Sequence, residues 1–237
     1  MYKVSLILLF ISLFGKASLA NAEDVWDING YLGISTDYIY RGLAYSVKPT
    51  PRANVFVGHN SGLFLNTWIS RDDIAGLFGD SNRRDTEFEF TLGYNWQFDE
   101  QWSLSASHAR FEFHRIHQPA DHDYRETRLS LNYEEKFTFF ASHADSVWNT
   151  GNSLTTISMT TRHALPKGIL AEAELGWFEY GVDANADFPF LRLSTGKALT
   201  RNFSANVEFH YSGSNANRAF DSSRTGGNWV GVLNYHF

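Results

Sequence analysis

The sequence predicts an all-β chain: a transmembrane up-and-down antiparallel β-barrel of about twelve strands, preceded by a cleaved leader. Three observations carry this. The last ten residues, N-W-V-G-V-L-N-Y-H-F, alternate apolar and mixed positions and end on an aromatic. Elsewhere, apolar residues recur at every second position, a period of 2 that no helix shows. The segments joining these runs alternate between short and long.

The N-terminus comes first. Residues 1–22 hold a basic Lys3, an apolar run from Val4 to Phe14, and small residues at Ala20 and Ala22. This is the layout of a secretory signal peptide, with cleavage expected after Ala22. Without Lys3 and Lys16 the chain has 18 basic and 26 acidic residues, a net charge of −8. That balance argues against a nucleic-acid partner, which needs a basic face. There are no cysteines, so thiol chemistry and cysteine–metal sites are excluded. Past the leader no run of about 18 apolar residues remains to make a membrane helix. Mean hydropathy is −0.31, yet aromatics make up 16% of the chain. A barrel in lipid reads this way, because only every second residue need be apolar.

The clearest strand is 84–98, where Phe88, Phe90, Leu92, Tyr94 and Trp96 alternate with Glu87, Glu89, Thr91, Gly93 and Asn95. Segments 203–212, 169–180 and 124–133 repeat the pattern. Weaker candidates are 28–40, 52–58, 63–70, 102–113, 137–146, 154–163 and 188–198; residues 228–237 make twelve. In 102–113 the apolar parity switches between Ala106 and Phe111, which suggests a bulge. Short connections (59–62, 99–101, 134–136, 164–168, 199–202) alternate with longer ones (41–51, 71–83, 114–123, 147–153, 181–187, 213–227). Short periplasmic turns and longer external loops do this in a bacterial barrel, and an even strand count places both termini in the periplasm. The bilayer is the cause: unpaired backbone groups cannot sit in lipid, so a sheet that crosses it must close. Tyr38, Tyr40, Trp68, Trp96, Trp102, Trp148 and Trp229 lie near strand ends and are expected in the interfacial girdles. The C-terminal Trp229, Leu233, Tyr235 and Phe237 form the apolar stripe expected to be read by the barrel-assembly machinery.

Ser35 to Gly42 reads S-T-D-Y-I-Y-R-G. It resembles the S-D-Y-x-[FY]-R-G signature of the TorF-like porin family of Gram-negative outer-membrane proteins. F-L-N-T-W-I-S (64–70) and E-F-E-F-T-L-G-Y (87–94) are similar to two further strands of that family, and the terminal N-Y-H-F fits as well. Only the Asp37–Gly42 motif is specific. The resemblance implies an outer-membrane porin, and it supplies no catalytic or ligand residues to carry over.

Strand parity then selects the lumen. Glu87, Glu89, Arg128, Glu172, Glu174, Arg192, Glu208 and His210 fall on polar faces, where charges set the potential met by a permeating solute. Their acidic majority would favour cations; paired across a narrow bore, the same residues would plug it. In the motif, Asp37 and Arg41 are expected to point inward opposite Tyr38 and Tyr40, as a charged constriction or as a local salt bridge.

Other chemistries are less well supported. His108, His114, His117 and His122, with Asp121 and Asp123, contain metal-ligand types but match no template spacing. Asp72, Asp73 and Asp80 lack calcium-loop spacing. No metal or cofactor is expected. Ser107–His108 and Ser142–His143 are adjacent in strands, so each Ser faces away from its His and cannot pair with it. The function expected is passive diffusion of small hydrophilic solutes through a barrel bathed by lipid and lipopolysaccharide. The alternatives are a non-conducting structural or surface-binding barrel, or an outer-membrane lipid-modifying hydrolase.

Overall fold

The structure is a computed structural model that describes residues 25–79, 85–114, 122–181 and 186–237. The expected signal peptide lies outside the described residues. Twelve antiparallel strands form one closed barrel. They are β1 (Trp26–Ser35), β4 (Thr50–His59), β5 (Leu63–Asp72), β6 (Asp85–Gln97), β7 (Trp102–His114), β8 (Tyr124–Tyr133), β9 (Phe137–Ala144), β10 (Leu154–Leu165), β11 (Ile169–Tyr180), β12 (Phe188–Ala198), β13 (Phe203–Ser212) and β14 (Gly227–His236). Each pairs with its neighbours in sequence, and β14 closes on β1. That seam pairs five residues, Tyr31–Ser35 with Val232–His236, against ten between β1 and β4.

All twelve expected strands are present. The first, expected over 28–40, stops at Ser35. There Thr36 makes the last backbone contact with Gly231 (2.9 Å), and the chain bends. Tyr38–Tyr40 (β2) and Leu43–Ser46 (β3) then form a separate two-stranded hairpin. Residues 41–51 are therefore not the external loop that was expected, since Leu43–Ser46 are all buried.

The expected bulge in β7 is absent as well. Pairing with β6 runs unbroken from Thr86↔His114 to Gln97↔Ser103. The parity changes for another reason, the polarity of the two faces inverts along the strand. Near the short turns the inward residues are Ser103, Ser105 and Ser107, and Trp102, Leu104 and Ala106 face out. Near the long loops Ala109, Phe111 and Phe113 are buried inside, and Arg110 and His114 are exposed outside. The outer face turns polar where the strand leaves the apolar band, and the inner face turns apolar where it meets a packed interior.

The aromatics divide accordingly. Trp102 packs with Tyr133 (4.6 Å), Tyr94 with Trp96 (4.8 Å) and Phe203 with Tyr235 (5.1 Å) around the short-turn end. Trp229 is 70% exposed on the outer wall. Tyr38, Tyr40, Trp68 and Trp148, expected in the girdle, instead point inward or pack in the interior, and Trp148 is 1% exposed. A buried cluster of Leu43, Tyr45, Leu77, Phe111, Trp148 and Phe220, among others, fills the long-loop half of the barrel.

Candidate functional site

The hairpin lies across the bore. Tyr38 packs on Trp68 of β5 (5.9 Å) and Tyr40 on Phe111 of β7 (6.5 Å). Arg41 reaches Glu126 of β8 and Thr156 of β10, and its guanidinium sits 5.3 Å from the Phe140 ring of β9. A Cβ on Gly42 would stand 2.9 Å from Phe190 of β12 and 3.0 Å from Ser212 of β13. A segment touching inward side chains on so many strands must occupy the lumen.

Local chemistry explains the shape. Tyr40 pairs with Leu43, leaving Arg41 and Gly42 as a two-residue turn. Their φ values are +52° and +83°, the left-handed pair that matches strand twist in a tight hairpin. The Y-R-G of the motif is therefore a hairpin tip. Arg41 donates from Nη1 and Nη2 to the two oxygens of Glu126, each at 2.8 Å. This two-pronged geometry is the strong form of an ion pair. Asp37 lies at the bend before β2, and the carboxylate partner of Arg41 is Glu126, so the expected local Asp37–Arg41 bridge is not formed.

Two loops hold the hairpin from the long-loop end. The Asp73 N–H donates to the Tyr45 carbonyl (2.7 Å). Arg224 donates to Asp73 (2.6 Å) and to the Ala44 carbonyl (3.3 Å), with both ionic side chains almost wholly buried. Tyr45 packs edge-on against Trp148 (6.2 Å), and burial pushes its phenol well above the ordinary range. The loop residues 80–84, 115–121 and 182–185 lie outside the described residues, and with them Asp80, His117 and Asp121.

Below the hairpin two cavities lie in the bore, lined mostly by polar and charged side chains. A cavity of about 580 Å³ is lined by Tyr31, Arg52, Glu89, Arg128, Arg192 and Glu208, among others. A second, of about 1130 Å³, occupies the short-turn mouth beside Asn95, Asn132 and Arg162. Thr160 and Arg162, successive inward positions on β10, line one cavity each.

All eight residues expected in the lumen face inward, and they pair. Arg128 bonds Glu89 and, at 2.6 Å, Glu126. Arg192 bonds Glu172 and, at 3.3 Å, Glu174. Arg162 also bonds Glu172. His210 meets Glu208 at 2.9 Å. Glu87 is buried beneath the hairpin and accepts from the Tyr38 hydroxyl at 3.4 Å. The parity of 84–98 had revealed Glu87 and Glu89, but Glu126 and Arg41 had no visible link, because their contact spans 85 residues.

The other sequence candidates are scattered. Among the described residues, no group of three His, Asp or Glu side chains is placed to hold a metal. His143 contacts Thr155 (3.0 Å) and Asp145 (3.2 Å) on the outer wall. An acyl-transfer site needs free N–H donors for an oxyanion, and Thr155 sits in a strand paired on both sides. Leu233 and Tyr235 face outward with Trp229. Phe237 exchanges two backbone hydrogen bonds with Gly30, at 3.1 and 3.2 Å.

Solved structures place this architecture. The chain is similar to the NanC porin (TM-score 0.58, 9% identity, 88% of this chain and 99% of that one). It is similar to the KdgM porin (TM-score 0.56, 9% identity, 89% and 98%). The barrel has a porin fold. An outer-membrane channel from Pseudomonas putida F1 is also similar (TM-score 0.51, 12% identity, 92% and 99%). No family model matches the sequence, and no curated protein matches it.

Proposed function

We propose that the chain is an outer-membrane porin passing small hydrophilic solutes by passive diffusion, with the β2–β3 hairpin as its constriction. The observation that carries this is a charged, water-accessible lumen inside a porin fold. The Ser35–Gly42 motif supports a TorF-like porin. The leader is removed after Ala22, both termini face the periplasm, and the stripe from Trp229 to Phe237 is the assembly signal. Lipid and lipopolysaccharide surround the outer wall. The protein is not an enzyme; transport needs only the wall of the bore. Cation preference, where present, rests on Glu172 and Glu174.

The filled upper bore favours a second reading, a barrel that does not conduct. Single-channel recording of the refolded mature protein in a planar bilayer decides between them. Stable steps support the porin, with larger or longer openings when Arg41 is replaced. A folded, heat-modifiable barrel that never conducts, with or without Arg41, removes it.

A further inference from the structure

Among the described residues, the twelve wall strands carry seven arginines. Arg52, Arg128, Arg162 and Arg192 face the lumen. Arg71, Arg110 and Arg125 face the other way, and all three lie in the long-loop half of the outer wall, on β5, β7 and β8. Arg110 and Arg125 stand directly opposite each other, and both are exposed. Like charges in such register, with Cβ atoms about 5 Å apart, destabilise a sheet. Arg110 meets Glu112 through Nε at 2.8 Å, and that carboxylate also holds His114 at 3.3 Å. Among the described residues no carboxylate bonds Arg71 or Arg125.

The ladder between β7 and β8 fixes the depth of this cationic rung. On the outer wall its rungs run Trp102 with Tyr133, Leu104 with Leu131, Ala106 with Leu129, His108 with Thr127, then Arg110 with Arg125. One aromatic rung, two apolar rungs, a polar rung and a cationic rung follow in order. From Trp102 to Arg110 is about 27 Å of strand. At a tilt of about 40° that is roughly 21 Å of membrane, close to the height of an outer-membrane apolar band. The two arginines therefore stand at the edge of the band away from the short turns. Exposed Phe90, Leu92 and Leu129 lie beside or below them. The opposite wall differs: β13 and β14 pair Phe209 with Trp229 and Tyr211 with Gly227 at their long-loop ends. Contact with water makes no distinction between two walls, so charge gathered on one of them marks a particular ligand.

We propose that the outer wall around Arg110 and Arg125, flanked by Arg71, docks the phosphate of a phosphorylated glycolipid of the outer leaflet, the lipid A of lipopolysaccharide. A guanidinium fork matches phosphate oxygens two at a time. A phosphate set between two guanidinium groups replaces their repulsion with attraction to a common anion. The apolar rungs below are ground for acyl chains, so both halves of the ligand meet a matching half of the patch. The site requires the long loops to face outward; it does not require a conducting bore.

The test titrates the refolded mature barrel, in zwitterionic detergent, with diphosphorylated lipid A and reads occupancy by native mass spectrometry. Lipid A stripped of its phosphates and inorganic phosphate are the comparison probes. Saturable binding of the diphosphorylated form is expected. It should weaken at least about tenfold in Arg110→Gln/Arg125→Gln, a hydrogen bond between charged partners being worth at least that much. Arg110→Lys/Arg125→Lys should recover part of the affinity. Lys197→Gln, on the outer wall near the short turns, should bind like the native barrel. Heat-modifiable mobility reports that each variant is folded. No saturable binding to the native barrel, or equal binding to the double Gln variant, overturns the site. An equal loss in Lys197→Gln reduces the effect to general charge attraction and overturns it too. Stripped lipid A bound as tightly as the diphosphorylated form overturns the phosphate contact, and inorganic phosphate bound as tightly overturns the lipid assignment. Conductance is recorded in parallel. Steps without lipid A binding leave the porin and remove the docking site, and binding without steps leaves the docking site and removes the porin.

Discussion

Arg41 and Gly42 make a turn and a lock at the same time. Gly42 holds φ at +83° with side chains packed around it. Gly42→Ala adds about 1 kcal/mol of left-handed strain to a clash with Phe190. The hairpin should loosen, and trypsin should then cut after Arg41 in the folded barrel; unchanged resistance would count against a lodged hairpin. Arg41→Ala leaves Glu126 facing Arg128 alone. Because that partner remains, the cost should fall near or below the lower bound of about 3 kcal/mol for breaking a buried pair, read as a lower urea midpoint. At this scale the sequence was half legible. The motif was visible, and so was the inward direction of Arg41. Its partner was not, since nothing in a linear string ties residue 41 to residue 126.

Among the elements, the strands were the most legible. Each alternates, and alternation is a local property. β7 was misread for a physical reason. A parity switch signals a bulge only if each face keeps one environment along its length. Here both faces change environment partway along, so Phe111 and Phe113 point inward with the ladder intact. Phe111 stacks on Tyr124 at 4.3 Å; Phe111→Ala should cost roughly 3 kcal/mol by opening a cavity, seen as a lower temperature for loss of the compact gel band. The hairpin was hidden because a short buried insert and an external loop share the same turn residues. Replacing residues 37–47 with a short Gly-Ser linker should raise single-channel conductance several-fold while the barrel still forms. Unchanged conductance would show that the constriction lies elsewhere.

For the whole molecule, closure and topology followed from the alternation of connection lengths, while the state of the lumen did not. The acidic majority among the inward-facing residues suggested a bore that favours cations. The assembled wall instead sets Glu172 and Glu174 against Arg162 and Arg192. Removing both acids frees two guanidinium groups together. The double variant Glu172→Gln/Glu174→Gln should therefore shift the reversal potential in a salt gradient toward anions. An unmoved potential would mean that this pair does not face the conducting path.

The seam between the first and last strands joins the two elements farthest apart in the chain through five residue pairs, whereas every other junction joins strands that follow one another among the twelve of the wall. Such a junction forms last, because closing it spans nearly the entire polypeptide. It is also the natural fracture line. On gentle destabilisation the amides of β1 and β14 should exchange with deuterium before those of β10 and β11, which share twelve pairs. The cylinder would then part along one stave, and Gly33 and Asn234, which face each other across the seam, would separate while the opposite wall stayed whole.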